Sequence, residues 1–257
     1  AYVVPKEILL AGGICLIIIL WVARMIIKGS FDFSVGKFDL GILLIAVAYI
    51  LSTYLATPNK MEAFLLPGIT TFVLGAAVLY FLINQFDQKT KKMAGIAAFT
   101  GVLLLAVTSL LTTLGAFSKI PQLPAFIKDA TFNPMGGSFP SIILLGIFIV
   151  FSFGLLLTEK DSVKKLFFGV SIAVLVFTSI LLIGGMLPGK PESPNLIGPQ
   201  TSWEVLVESI KRNPIFGVGP GNYLTAFNLF RPVTYNQTDL WQVRFTSASN
   251  YYFTTIT

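Results

Sequence analysis

Histidine is absent from the 257 residues, and cysteine occurs once. Without imidazole the chain has no His-ligated metal and no histidine base. The lone Cys15 sits in the first apolar stretch, so no intrachain disulfide can form, and it reads as a small apolar filler. Charge is scarce as well: Asp, Glu, Lys and Arg make up 12% of the chain, against about 25% in soluble domains. No charged residue falls in 8–23, 40–59, 63–86, 93–118, 130–158 or 166–189.

What fills those windows is hydrophobic. Apolar residues are 54% of the chain, and the mean hydropathy is +0.80. A spanning helix needs roughly 20 apolar residues, and the windows predict six, near 8–27, 40–56, 66–84, 95–117, 139–157 and 166–187. The expected fold is an all-α integral membrane protein with about six transmembrane helices. Residues 1–187 form the transmembrane region, and 188–257 form an outer segment with short amphipathic helices and the start of a further span. The chain opens on Ala1 and stops in "NYYFTTIT", where another apolar run begins. It reads as an internal piece of a longer membrane protein.

Ionisable residues inside a bilayer usually mark ion pathways. The spans hold essentially none, with Arg24 at the end of the first, which argues against a proton-coupled pump. Glycines within the spans, Gly75, Gly101, Gly146 and Gly154 among them, are expected to allow close helix packing.

Orientation follows Lys and Arg in short loops. Nine cations (Arg24, Lys28, Lys37, Lys89, Lys91, Lys92, Lys160, Lys164, Lys165) follow spans one, three and five. Four (Lys6, Lys60, Lys119, Lys128) lie on the opposite side. The loops after spans one, three and five are therefore expected in the cytoplasm, and residues 188–250 on the outer face. The net charge of +6 is spread over rims where membrane lipids account for it, so no nucleic acid partner is expected.

One outer loop, "FIKDATFNPMGGSFP" at 126–140, carries strong turn signals in Asn133-Pro134 and Gly136-Gly137. It reads as a turn into span five, or as a short re-entrant element lining an outer cavity. After the Pro/Gly-rich linker "LPGKPESPNLIGPQ", the segment "TSWEVLVESIKRNP" opens with a Thr201-x-x-Glu204 capping box. An apolar stripe of Trp203, Leu206, Val207 and Ile210 follows, with a Glu208–Arg212 pair expected. Next comes "GVGPGN". Asn222 stands where a dinucleotide fingerprint needs glycine, and the Gly-Lys-Ser/Thr ending of a phosphate loop is missing. Pro220-Gly221 suits a type II turn leading into a helix "NYLTAFNLF". Two readings stay open here: a turn between two interfacial helices, or backbone N–H groups of Gly217, Gly219, Gly221 and Asn222 meeting an anion.

Polar residues gather beyond it: Arg231, Asp239, Trp241, Arg244, Ser249 and Asn250. Arginines clamp phosphate oxygens, and Trp or Tyr rings pack on sugar faces. A phosphorylated lipid carrying sugar is one ligand of that chemistry; plain lipid phosphates are another.

The stretch "TSWEVLVESIKRNPIFGVGPGNYLTAFNLFRP", with "TDLWQVRF" and "SNYY", resembles the O-antigen ligase/polymerase family of bacterial membrane glycosyltransferases, as a divergent member. "PKEILL", "KFDLGILLIAVAYILST" and "FNPMGGSF" agree with it. The resemblance implies transfer of a glycan from an undecaprenyl-pyrophosphate carrier to a lipid or glycan acceptor at the outer face of the bacterial inner membrane, without metal or cofactor. It implies that arginines hold the pyrophosphate, which maps onto Arg231 and Arg244, with Gly217, Gly219, Gly221, Asn222, Trp241 and Asn250 around the substrate. The family's outer loop presents His-Asn where this chain has Ser249-Asn250. Serine is no base at neutral pH without activation, so Asp239, Glu204 or Glu208 takes that role, with Asp239 preferred beside Arg244, or departure of the pyrophosphate drives the reaction, or catalysis uses a C-terminal portion beyond Thr257. A lipid-linked glycan flippase and an inactive envelope-assembly scaffold are the alternatives.

Overall fold

The computed structural model describes residues 3–30, 33–64, 69–190 and 192–257. Every regular element among them is helical. In chain order they are α1 (Val3–Lys28), α2 (Asp39–Leu55), α3 (Lys60–Phe64), α4 (Ile69–Asn84), α5 (Gln88–Thr113), α6 (Ala125–Lys128), α7 (Ser138–Thr158), α8 (Ser162–Gly185), α9 (Pro199–Arg212), α10 (Tyr223–Phe230) and α11 (Tyr251–Ile256). Apolar helical stretches long enough to cross a bilayer are Ile8–Lys28, Gln88–Thr113, Ser138–Thr158, Ser162–Gly185 and the run Lys60–Asn84, of which 65–68 lie outside the described residues. Asp39–Leu55 is apolar but shorter, at 17 residues. The chain is an all-α protein with several long apolar helices, as a multi-pass membrane protein requires. The opening of the expected third span, 66–68, falls outside the described residues.

The chain packs as two compact units, Ala1–Phe86 with Leu196–Thr257, and Asp87–Asn195. Composition alone draws its boundary near 187, between greasy and polar sequence. Packing divides the chain differently, because Leu196–Thr257 groups with Ala1–Phe86, its glycine loop meeting Thr57 and Glu62.

In the second unit α7 packs along α8, and α5 joins both. Val102, Ala106, Leu145, Leu175 and Leu182 form its core. Ser141, Ser152, Ser171 and Thr178 are also buried, while Val150 and Leu157 are 74% and 70% exposed. That inversion belongs to a lipid-facing bundle. Hydrocarbon gives apolar side chains no reason to hide, so small residues take the interface. The buried hydroxyls are satisfied locally: Ser152 donates to the Phe148 carbonyl and Ser171 to that of Phe167.

Glycine plays less of this part than expected. A Cβ added at Gly12, Gly13, Gly101, Gly146, Gly154 or Gly184 would meet nothing within 4 Å. Gly75 does sit at a packed contact, 3.6 Å from Ile14 Cδ1.

Helix ends also depart from the sequence reading. α5 stops at Thr113, short of the expected 117, because Gly115 turns left-handed at φ 69°. The Gly115 N–H then donates to the Thr112 carbonyl and the Ala116 N–H to that of Leu111, the Schellman closure of a helix. α8 begins at Ser162, where Asp161 caps it by accepting the Val163 N–H at 2.9 Å.

In the first unit α4 packs on α1 and α2. Thr53 and Thr70 share a hydrogen bond of 2.6 Å between α2 and α4, with both residues fully buried.

Candidate functional site

The segment from Leu196 to Thr257 has a core of its own. Ile197, Val205, Tyr223, Ala226, Phe227, Tyr235 and Phe245 are buried together. Phe227 sets its ring edge-on to Tyr235 at 5.2 Å and to Phe245 at 5.7 Å, an arrangement that rewards the ring quadrupoles. The Tyr235 hydroxyl donates to the carbonyls of Leu240 and Val243, pinning the turns that carry Asp239, Trp241 and Arg244. Burial pushes the Tyr235 phenol above its usual range, opposed by the nearby Arg231 cation.

α9 differs in detail from its sequence reading. It starts at Pro199, so Thr201 lies inside the helix and no capping box forms. Its buried face is Ser202, Val205, Leu206 and Ser209, and Trp203 stays 54% exposed against Phe253. Glu208 pairs with Lys211 at 2.6 Å rather than with Arg212. The face turned because Ser202 has a partner to reach: its hydroxyl accepts the Ser249 N–H at 2.9 Å.

The glycine loop is a packed connection. Gly217, Gly219 and Gly221 have φ of 57°, 82° and 78°, a region that costs other residues about 1–2 kcal/mol each. The Asn222 N–H donates to the Gly219 carbonyl at 3.3 Å, closing the turn expected at Pro220-Gly221. Each glycine also meets a different neighbour. A Cβ at Gly217 would overlap the Thr257 carbonyl, one at Gly219 would overlap the Thr57 hydroxyl, and one at Gly221 would lie 3.1 Å from the Glu62 carbonyl. The Val218 N–H donates to the Thr257 carbonyl at 2.7 Å. Fully buried Asn222 begins α10 without capping it; its amide donates to the Pro220 carbonyl at 2.9 Å.

This loop borders a chamber of about 420 Å³. The hydroxyl-bearing residues in its lining include Tyr49 and Ser52 of α2, Tyr223 of α10, and Thr246, Tyr251 and Thr254, and among the described residues no charged side chain lines it. Burial raises the Tyr223 phenol pKa, with the Ser202 hydroxyl opposing, so it stays a neutral donor and acceptor at physiological pH. An apolar cavity of about 520 Å³ adjoins the chamber between α2 and α4, lined by Ile42, Ile45, Phe72, Val73 and Ala76. Tyr49, Ile69 and Tyr251 face both spaces.

The expected site residues separate into two groups. Gly217, Gly219 and Gly221 border the chamber; Arg231, Asp239, Trp241, Arg244 and Asn250 do not. Arg231 lies half-buried over the aromatic core, its guanidinium 5.7 Å from the Phe227 and Tyr235 ring centres, and donates to the Trp241 carbonyl at 3.5 Å. Asp239, Trp241 and Arg244 are exposed, and among the described residues neither Asp239 nor Arg244 enters an ion pair. Asn250 caps α11, accepting the Phe253 N–H at 2.8 Å. Ser249 is drawn inward, with its hydroxyl buried and unpartnered. Of the other carboxylates, Glu204 accepts from Gln200 and Glu208 is held by Lys211. Among the described residues no cluster of three or more metal-ligating side chains forms. The hydroxyl lining was legible only as polar letters at the end of span two, "YILSTY", and in the outer segment.

The chain matches no family model, no curated protein and no solved structure.

Proposed function

We propose that this chain is a multi-pass membrane glycosyltransferase of the O-antigen ligase type. It moves a glycan from an undecaprenyl-pyrophosphate carrier to a lipid or glycan acceptor at the outer face of the bacterial inner membrane. The carrying observation is a pair of neighbouring cavities in the first unit that share Tyr49, Ile69 and Tyr251: an apolar slot between α2 and α4, and a chamber whose lining includes several hydroxyl-bearing residues. An amphiphile with a hydrocarbon tail and a sugar-bearing head has that shape of chemistry. Six spans with the cationic loops in the cytoplasm complete the reading and give residues 188–250 the outer face.

Among the described residues no charged side chain lines the chamber, so the cations for the pyrophosphate, which joins the tail to the sugar, must come from elsewhere in the first unit: the exposed Arg244, with Arg231 behind it. Transfer breaks the bond from the sugar's anomeric carbon to the phosphate oxygen. The electron pair leaves on the pyrophosphate, where guanidinium hydrogen bonds stabilise the added charge. An acceptor hydroxyl forms the new bond and gives its proton to Asp239 or to the departing pyrophosphate.

In proteoliposomes supplied with lipid-linked glycan and acceptor, Arg244→Ala should abolish transfer while the protein still inserts. Arg231→Lys, which keeps a cation, should retain part of the activity. Full transfer by Arg244→Ala would sink this assignment. The same cavities also suit a carrier that moves the lipid-linked glycan intact. That reading gains if wild-type protein relocates the lipid across the bilayer and leaves its sugar–phosphate bond unbroken. No change in either assay favours the scaffold, which the unpartnered Asp239 and inward Ser249 allow.

A further inference from the structure

The second unit holds a cavity, largely apolar in lining but with a few polar groups, that this chemistry does not use. It lies where the C-terminal ends of α5 and α8 meet the N-terminal end of α7, and encloses about 160 Å³. Ser109, Phe132, Asn133, Ser138 and Glu192 line it. At a liquid share of about 30 Å³ per water that is room for about five waters, or for the hydroxyl-bearing edge of one sugar ring.

Its hydrogen-bonding groups are specific about what fits. Glu192 brings in a carboxylate, which accepts the Ser138 hydroxyl at the first residue of α7, where the helix dipole favours negative charge. Gly185 packs beside it, where an added Cβ would make only ordinary contact, 3.5 Å from Glu192 Oε2. Asn133 is 8% exposed, and its orientation is fixed. Its Oδ1 accepts the Met135 N–H at 2.9 Å and the Ser141 hydroxyl at 2.8 Å. A backbone N–H can only donate, so Nδ2 is the atom left over, a buried donor without a partner. The Ser109 hydroxyl, in a residue 1% exposed, is also unpartnered. Native proteins seldom leave such groups unmatched.

A simple cation would suit Glu192 and be repelled by the Asn133 amide hydrogens; an anion would meet the reverse conflict. Neighbouring hydroxyls resolve both, since each one donates and accepts. We propose that this cavity is a saccharide subsite. It takes adjacent hydroxyls of one sugar ring, one donating to Glu192 and the next accepting from Asn133 Nδ2. Ser109 bonds the same pair, and the Phe132 ring offers an apolar wall. The assignment deepens the glycan-transfer reading and rests on it for its biological sense, although the binding it describes requires no transfer.

The test is saturation-transfer NMR on the full chain in nanodiscs, with no donor lipid present. The probes are free N-acetylglucosamine, galactose and rhamnose, with tetrahydropyran as the ring without hydroxyls. At least one sugar should bind saturably and tetrahydropyran should not. Asn133→Asp keeps Oδ1 as an acceptor while replacing the amide donor with a carboxylate oxygen and adding charge beside Glu192, and should weaken binding about tenfold or more. Glu192→Gln and Ser109→Ala should also weaken it, with thermal midpoints confirming that each variant folds. Sugar binding that survives Arg244→Ala, together with lost transfer, supports the site and the transfer reading separately. Absence of saturable binding in the wild type, or wild-type affinity in both Asn133→Asp and Glu192→Gln, overturns the subsite and leaves ordered water as its occupant. Neither result touches the Arg244 test.

Discussion

Replacing Gly219 by alanine should loosen the outer segment from its seat beside α2, whatever happens to phosphate. Two costs combine. A left-handed backbone at φ 82° penalises a β-carbon by about 1–2 kcal/mol. The new methyl would also overlap the Thr57 hydroxyl and lie 3.0 Å from Thr57 Cα and Cβ. Backbone as well as side chain must then give, for about 1–3 kcal/mol of overpacking. The sum is about 2–5 kcal/mol. Gly189 supplies the control: its φ of 81° is nearly the same, but a Cβ there meets nothing within 4 Å, so strain alone applies, about 1–2 kcal/mol. Gly221, 3.1 Å from the Glu62 carbonyl, should fall between them.

The assay is thermal unfolding in detergent followed by tryptophan fluorescence, with Trp203 and Trp241 reporting from the outer segment. The midpoint should fall least for Gly189→Ala and most for Gly219→Ala. Thr57→Ala should be nearly neutral alone, because its hydroxyl is buried without a partner, and should restore part of the loss when combined with Gly219→Ala. Equal losses at all three glycines would refute the packing argument. So would an unchanged midpoint with donor binding abolished, the outcome a phosphate cradle demands.

Three further outcomes follow from the same structure. Arg231→Ala should destabilise the outer segment by about 1–2 kcal/mol, since two cation–π contacts go with it, whereas Arg244→Ala should leave the unfolding midpoint within about 0.5 kcal/mol of wild type. The Tyr235 phenol titrates above its unfolded value of 10.0 in the folded chain, so its stabilisation is complete below pH 10.0 and is lost as pH rises through the folded pKa. Tyr235→Phe should lose about 1 kcal/mol at neutral pH and show a shallower alkaline decline in the unfolding midpoint. Ala76→Phe should partly fill the α2–α4 cavity and raise the KM for lipid-linked donor severalfold with kcat little changed; an unaltered KM would mean that the tail binds elsewhere.

Membrane character was legible because it depends on long averages. A run without charge is a property of twenty residues, and local packing hardly alters it. Helix ends were less legible, since they turn on single bonds: Gly115 ends α5 early and Asp161 starts α8 early. The apolar stripe of α9 was misread for a related reason. Trp203 is the most hydrophobic letter in its turn, yet Ser202 turns inward because a backbone N–H some 47 residues away needs an acceptor. The glycines announced a special backbone correctly but could not say what presses against them. Thr57, Glu62 and Thr257 are remote in sequence, and nothing local to 217–221 names them.

Separating the glycines from the arginines changes what the outer segment is asked to do. A single site holding sugar, lipid and pyrophosphate would need cations within a space that adjoins hydrocarbon, where desolvating them is costly. On the proposed glycan-transfer reading, the first unit would avoid that conflict by dividing the substrate by polarity. Its chamber is lined in part by tyrosines and threonines, which in that reading would bond sugar hydroxyls without carrying charge into the bilayer edge. Arg244 remains in water, where a guanidinium is cheaply solvated until phosphate arrives. Tyr235 spans the division: through its bonds to Leu240 and Val243 it fixes the turn bearing Arg244, and it belongs to the same core as chamber-lining Tyr223. Arg231, laid across Phe227 and Tyr235, therefore serves first as part of that support, and in the proposed reaction it would act on phosphate only through the turn it steadies.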